Sequence, residues 1–155
     1  MKNNKDLIKE SLDMSYYGAQ LAIICGVAVF VYLFAIILLF VDTFKVLPYL
    51  VMYTLLILPF IAYYIVKIYS IKKDSEKYIL TEGCPYKREP SLGRRVSLML
   101  EIKDGDGETV QVQTNPIFGM SILSDLYFGE HIGQRLQVLY DKESERVVVI
   151  KIIES

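Results

Sequence analysis

Two stretches of this chain hold no charged side chain: Met14 to Val41 and Val46 to Val66. Nothing else in the sequence limits the fold so strongly. A helix needs about 20 apolar residues to cross roughly 30 Å of hydrocarbon, and each run meets that length. The spans are read as about 18–41 and 47–71. A secretory leader is the rival for the first run. Its apolar core is too long for one, starts late, and is followed by no clear small-residue cleavage site. The link Asp42-Thr43-Phe44-Lys45, followed by a Leu47-Pro48 turn, is very short. The two helices must therefore be antiparallel neighbours, a transmembrane hairpin.

Charge sets the expected orientation. Lys2, Lys5 and Lys9 precede the first span, and Lys72, Lys73, Lys77, Lys87 and Arg88 follow the second. The connecting loop has only Lys45. Positive residues favour the cytoplasmic side, so both termini are expected inside, in a bacterial-type inner membrane. Tyr16, Tyr17, Tyr49 and Tyr69 fall near the expected interfaces, where amphipathic rings prefer to sit. Lys67 lies late in span two, from where it can snorkel to the surface. Pro59 removes a backbone donor inside that span and predicts a local kink.

Gly18, Ala22 and Gly26 recur four apart on one face of span one. Small residues at that spacing let helices approach closely. The tethered second span is the nearer partner, so packing within the chain is the expected use. Self-association, or a partner helix, is the other. No charged residue lies deep in either span, which argues against a transport pathway or proton relay. Residues 1–17 read as a short amphipathic arm with Leu7, Ile8, Ser11 and Leu12 on one stripe. Its lysines are balanced by Asp6, Glu10 and Asp13, so it reads as an interfacial arm rather than a one-sided polybasic anchor.

After Ile71 the period changes. Residues 72–77 form a charged connector, and 78–155 read as a cytoplasmic β domain. Tyr78 to Thr81 can open a strand, and Gly83, Pro85, Pro90 and Gly93 punctuate a loop carrying Cys84. From Arg94 the alternation is clean: Val96, Leu98, Leu100 and Ile102 face one way, and Arg95, Ser97, Glu101 and Lys103 the other. Setting Val110 opposite Ile102 sets Val112 opposite Leu100. It also pairs Asp104 with Glu108 across Gly105-Asp106-Gly107, a three-residue hairpin with a left-handed glycine. Asn115-Pro116 suggests a turn. Residues 121–128 suit a short helix or an irregular strand. Leu136, Val138 and Tyr140 alternate with Gln137, Leu139 and Asp141, the run "DKESE" turns, and Val147 to Ile150 reads as a strand covered on both faces. About five short strands in so small a unit predict an antiparallel barrel or sandwich. The expected fold class is thus membrane α + β: a two-helix hairpin followed by a small β barrel or sandwich.

The closing stretch "GQRLQVLYDKESERVVVI" resembles the end of a bacterial domain of unknown function found in small membrane proteins. That family joins transmembrane helices to a compact β domain, and its closing pattern is similar to Gly-x-x-Val-x-Val-x-Tyr-Asp-Pro-x-x-Pro. Gly133, Val138, Tyr140 and Asp141 match. Lys142 and Glu145 stand where prolines are common, and Leu136 where valine is. The hairpin "LMLEIKDGDGETVQVQT" is similar in style. The resemblance covers about half the chain and implies architecture, not an activity.

Several functions are argued against by residue type. Net charge is −1 and there is no basic stripe, so no nucleic acid is expected. Cys25 and Cys84 belong to no C-x-x-C pair, and the differing segments around them do not suggest a disulfide. The only histidine is His131. Ser121, Ser124 and Asp125 lie near it without a nucleophile-elbow pattern. The ligands for zinc are too few. An EF-hand register from Asp104 puts Thr109 and Asn115 where glycine and glutamate belong. No P-loop or dinucleotide fingerprint occurs. No catalytic residue, metal or cofactor is therefore expected. The leading expectation is a non-catalytic interaction module in the lipid bilayer, binding a protein partner through its β domain or its hairpin. Ile117, Phe118, Met120, Tyr127 and Phe128 form the expected partner surface. One alternative is an immunity protein against a membrane-active or envelope toxin, working through the Gly18, Ala22 and Gly26 face. Another is an accessory subunit of a transport or signalling complex.

Overall fold

The alternation beginning near Arg95 builds a sheet, but the sheet does not close. The computed structural model describes residues 3–40, 43–73, 75–91, 95–103, 107–118 and 133–153. Among the described residues three helices come first: α1 (Asn4–Lys9), α2 (Leu12–Leu39) and α3 (Thr43–Lys73). Six strands follow among those residues: β1 (Ile79–Ser91), β2 (Arg95–Lys103), β3 (Thr109–Gln113), β4 (Ile117–Phe118), β5 (Arg135–Asp141) and β6 (Arg146–Ile153). The chain divides into two compact units. One joins Met1–Tyr16 with Ile71–Ser155, and the other is Tyr17–Ser70.

The helical unit is apolar on every side. At 1.5 Å per residue, α2 is about 42 Å long and α3 about 46 Å, more than a hydrocarbon layer requires. Both are long and apolar enough to cross a membrane. Helix α3 starts at Thr43, so Leu47-Pro48 lies inside it rather than in the turn expected there. The less exposed positions recur at spacings of three and four: Leu21, Ile24, Ala28, Tyr32 and Ala35 on α2, and Leu50, Tyr53, Ile57, Ile61 and Tyr64 on α3. Aromatic rings bridge these seams. Tyr17 meets Tyr64 at 6.3 Å and Tyr32 meets Tyr53 edge-on at 5.8 Å. The Tyr32 and Thr54 hydroxyls are hydrogen-bonded, and Thr54 also donates to the Leu50 carbonyl at 2.8 Å. The other faces carry exposed residues such as Phe30, Phe34, Leu55 and Val66.

In the β unit, five strands lie in the order β3-β2-β1-β5-β6, all neighbours antiparallel, and β4 pairs with β2 beyond the end of β3. The expected barrel or sandwich is therefore an open sheet with β3 and β6 at its edges. The expected register holds: Ile102 faces Val110 and Leu100 faces Val112. Gly107 takes φ +83°, a left-handed conformation that glycine adopts freely. Residues 104–106 of that turn lie outside the described residues, as do 119–132.

The run read as a punctuated loop is instead β1, a 13-residue central strand. It pairs with β5 from Ile79 to Gly83 and with β2 from Gly83 to Ser91. Past Gly83 its β5 side is released, which is why proline is tolerated. The Pro85 carbonyl accepts from the Gly133 N–H at 3.0 Å on that side, so its nitrogen also points away from β2 and no ladder bond is lost. A bulge between Pro85 and Lys87 bends the strand further. Gly83 itself lies under the core. A Cβ there would come within 2.9 Å of Ile102 Cγ2 and 3.5 Å of Leu100 Cδ1.

Leu98, Leu100, Ile102, Val112, Leu136 and Val138 fill one face of the sheet, all buried. Strands β5 and β6 are covered on both faces, and Val147, Val148, Val149 and Ile150 are all buried as expected. The N-terminal arm packs with this unit: α1 lies on β6, and Ile8, Ser11, Asp13 and Tyr16 are buried. The arm expected at a membrane interface is thus part of the β unit's core. Its two helices are separated at Ser11, whose hydroxyl donates to the Ile8 carbonyl and accepts from the Met14 N–H. At the far end, Asp141 organises the closing turn. Its carboxylate accepts from the Glu143 N–H and the Ser144 hydroxyl, an Asx turn, and Glu145 takes φ +52° before β6 begins.

Candidate functional site

The two edges of the open sheet are built differently. On β6, alternation turns the Val147 carbonyl and the Val149 N–H away from β5. Both find side-chain partners. Asn115 Nδ2 donates to the Val147 carbonyl at 3.1 Å, and Asp13 Oδ2 accepts from the Val149 N–H at 3.4 Å. Asn115 Nδ2 also donates to Asp13 Oδ2 at 3.3 Å. An aspartate from the helical arm and an asparagine from the β3–β4 junction thus stand where a sixth paired strand would run. Asp13 is fully buried and Asn115 half-buried, so the Asp13 side of the cap is shielded from water.

The same junction ends the ladder on the other side. Met99 faces Gln113, yet Val96 faces Ile117, so the outer strand advances four residues while β2 advances three. Thr114 fills the bulge: its N–H donates to the Leu98 carbonyl and its hydroxyl accepts from the Leu98 N–H, both at 2.9 Å. Because Thr114 turns its N–H towards β2, alternation turns those of Val112 and Val110 the same way. Thr109, Gln111 and Gln113 then direct their N–H and C=O groups outward. No strand pairs with that edge among the described residues.

Between the edges lies a cleft of about 440 Å³, lined by Met99, Gln111, Gln113, Asn115, Ser144 and Arg146 among others. Its walls offer amides, a hydroxyl and a guanidinium beside apolar groups. That is chemistry suited to a polypeptide backbone. A second, open groove of about 530 Å³ runs over Glu82, Cys84, Glu101, Lys103 and Arg135. Its charges are mixed and exposed. Arg135 and Glu82 approach only to 3.9 Å, and the Thr81 hydroxyl donates to the Lys103 carbonyl. Cys84, expected in a loop, is exposed on β1 in this groove, a free thiol like Cys25. No group of three metal-ligating side chains occurs among the described residues. One titration is perturbed nearby: the hydrogen bond from Lys87 to Glu89 raises the lysine above its ordinary pKa.

Two of the residues expected to form a partner surface, Ile117 and Phe118, lie among the described residues. Ile117 is 2% exposed and belongs to the core, because its pairing with Val96 turns it inward. Phe118 ends β4, opposite Arg95. Met120, Tyr127 and Phe128 lie outside the described residues, as does His131. The Gly18, Ala22 and Gly26 face does not pack on α3 as expected. A Cβ on Gly18 or Gly26 would meet nothing within 4 Å among the described residues. The tyrosine seam occupies the inter-helix side instead.

Asp13 and Asn115 were the residues sequence reasoning passed over. Asp13 reads as one of several acids balancing lysines, and Asn115-Pro116 as an ordinary turn. Only the burial of Ser11 and Tyr16 around Asp13 marks it out, and burial is a property of the fold. No family model matches the chain, and neither a curated protein nor a solved structure does.

Proposed function

We propose that this chain is a membrane-anchored, non-catalytic interaction module whose β unit receives an extended segment of a protein partner along β3. The observation that carries the reading is the asymmetry of the edges. The β6 edge is capped by the buried Asp13 and the half-buried Asn115, while the β3 edge keeps outward N–H and C=O groups beside a cleft of about 440 Å³. Strand addition takes its affinity from main-chain hydrogen bonds and its specificity from pockets for alternate side chains. The hairpin anchors the module in the bilayer with both termini cytoplasmic, in keeping with the exposed apolar faces of α2 and α3 and the lysine asymmetry.

The test is comparative. Gln111→Pro puts a ring where an outward N–H stood, a position that proline tolerates on an edge strand. The full-length chain, captured from its native membrane, should retain a partner that the Gln111→Pro chain loses at equal expression. A partner held equally by both would count against strand addition. For orientation, a periplasm-active reporter fused after Ser155 should stay silent.

One observation favours a second reading. The open space at Gly18 and Gly26 leaves that face available to another helix. An immunity protein acting through it should lose protection when Gly26 is changed to Leu, whereas Gln111→Pro should leave protection intact.

A further inference from the structure

The five residues of β3, Thr-Val-Gln-Val-Gln, are complementary to themselves. Thr109, Gln111 and Gln113 direct their main-chain groups outward and carry exposed side chains. Val110 and Val112 lie on the core face, opposite Ile102 and Leu100. A second copy of the strand can be laid alongside, antiparallel, about a two-fold axis through Gln111. Gln111 then stands opposite Gln111, Thr109 opposite Gln113, and Val110 opposite Val112. Every residue with outward N–H and C=O groups meets another of the same kind, so the three pairs exchange main-chain hydrogen bonds. Valine meets valine on the core face without a slip in register.

The side chains fit the same axis. Gln113 Nε2 donates to Ser97 Oγ at 2.5 Å, and Gln111 Nε2 donates to Glu101 Oε1 at 3.4 Å. Both glutamines thus give an N–H to their own sheet and keep a carbonyl oxygen as an acceptor. Across the axis, Thr109 brings a hydroxyl donor to the Gln113 oxygen. The two Gln111 amides, each both donor and acceptor, can pair with one another. Charge agrees with this arrangement. One row across the joined sheets reads Glu101, Gln111, Gln111, Glu101, and the next reads Lys103, Thr109, Gln113, Met99. No like charges stand directly opposite, which is the arrangement that weakens strand pairs. Edges that resist pairing carry lysine or proline, and β3 carries neither.

We infer that the extended segment received along β3 is the β3 of a second copy of this chain, so that two β units join into one continuous antiparallel sheet. The inference rests on the strand-addition reading proposed above and names its partner. Five residues of strand are a small contact beside the roughly 1,200 Å² of a standard interface. Anchoring in one bilayer raises the effective concentration of the two copies, and the pair separates on dilution.

The experiment uses the full chain in its native membrane, with Cys25→Ser and Cys84→Ser to remove the free thiols. Mild oxidation should link Gln111→Cys chains into a disulfide dimer, because facing residues of a hydrogen-bonded pair lie about 5.5 Å apart, within disulfide reach. Thr109→Cys alone and Gln113→Cys alone should stay single, while the two co-expressed should cross-link. Lys151→Cys, exposed on β6, should stay single. Adding Gln111→Pro to the Thr109→Cys and Gln113→Cys pair should abolish its cross-link. Equal cross-linking at all four positions would signify random collision and overturn the inference. Absence of cross-links, with a different protein captured by the parent chain and lost by Gln111→Pro, would overturn the second copy and leave strand addition standing. Cross-links that survive Gln111→Pro would overturn both.

Discussion

The β6 and β3 edges belong to one sheet, yet they solve the same problem in opposite ways. Each must do something with a row of outward backbone groups. On β6, Asp13 and Asn115 satisfy the Val149 N–H and the Val147 carbonyl from the side, and Val147 to Ile150 are buried on both faces. On β3, the outward residues Thr109, Gln111 and Gln113 are exposed and no strand covers them among the described residues. An uncovered edge is a hazard that folded proteins suppress. That one edge is capped by two polar side chains while the other is left with polar, uncharged ones is the basis for assigning function to the second.

The comparison can be broken from the capped side first. Asp13→Ala removes the acceptor for both Val149 N–H and Asn115 and leaves the buried Val149 N–H unpaired. It should cost about 3 kcal/mol in chemical denaturation of the β unit, and Asp13→Asn should restore much of it. Gly83→Val acts on β1, the central strand between the two edges. The new side chain would run into Ile102 and Leu100, and about 2 kcal/mol should be lost. Asn115→Ala removes one donor but keeps the Asp13 bond to Val149, and about 1 kcal/mol is expected. Gln111→Pro should have the smallest effect on stability, under about 1 kcal/mol, because no ladder bond is lost. If Gln111→Pro destabilised as much as Asp13→Ala, the two edges would not differ as argued.

How far the sequence carried the fold depended on where the physics was local. The β2–β3 register was legible because a slip of one residue would have turned Ile102 and Leu100 to the wrong face. The turn at Asp141 was legible from its residues. The helices were legible from charge-free length alone. Strand β1 was not, because Gly83, Pro85 and Pro90 carry the local signature of a loop, and only the one-sided pairing past Gly83 explains why they sit in a strand. The open sheet was not legible either. Its cap depends on Asp13 meeting Val149, 136 residues away, a contact that no periodicity encodes.

The helical unit adds a further contrast with the sheet. Valine, leucine and isoleucine are mostly buried along β5 and β6 but stand exposed along α2 and α3, where Leu55 is 67% exposed and Phe30 is 72% exposed. In water such surfaces would associate, whereas a bilayer covers them. This is why every measurement on the sheet's edges is best made on the full chain in detergent or a nanodisc.

Amide hydrogen exchange, resolved by residue on that full chain, tests the claim most directly. The Val149 amide should be strongly protected by Asp13, and the Val112 amide by its ladder bond to β2. The Gln111 and Gln113 amides, facing outward on β3, should exchange orders of magnitude faster and slow only when a partner is bound. Strong protection of Gln111 in the isolated chain would mean that β3 is already covered, and would contradict the account.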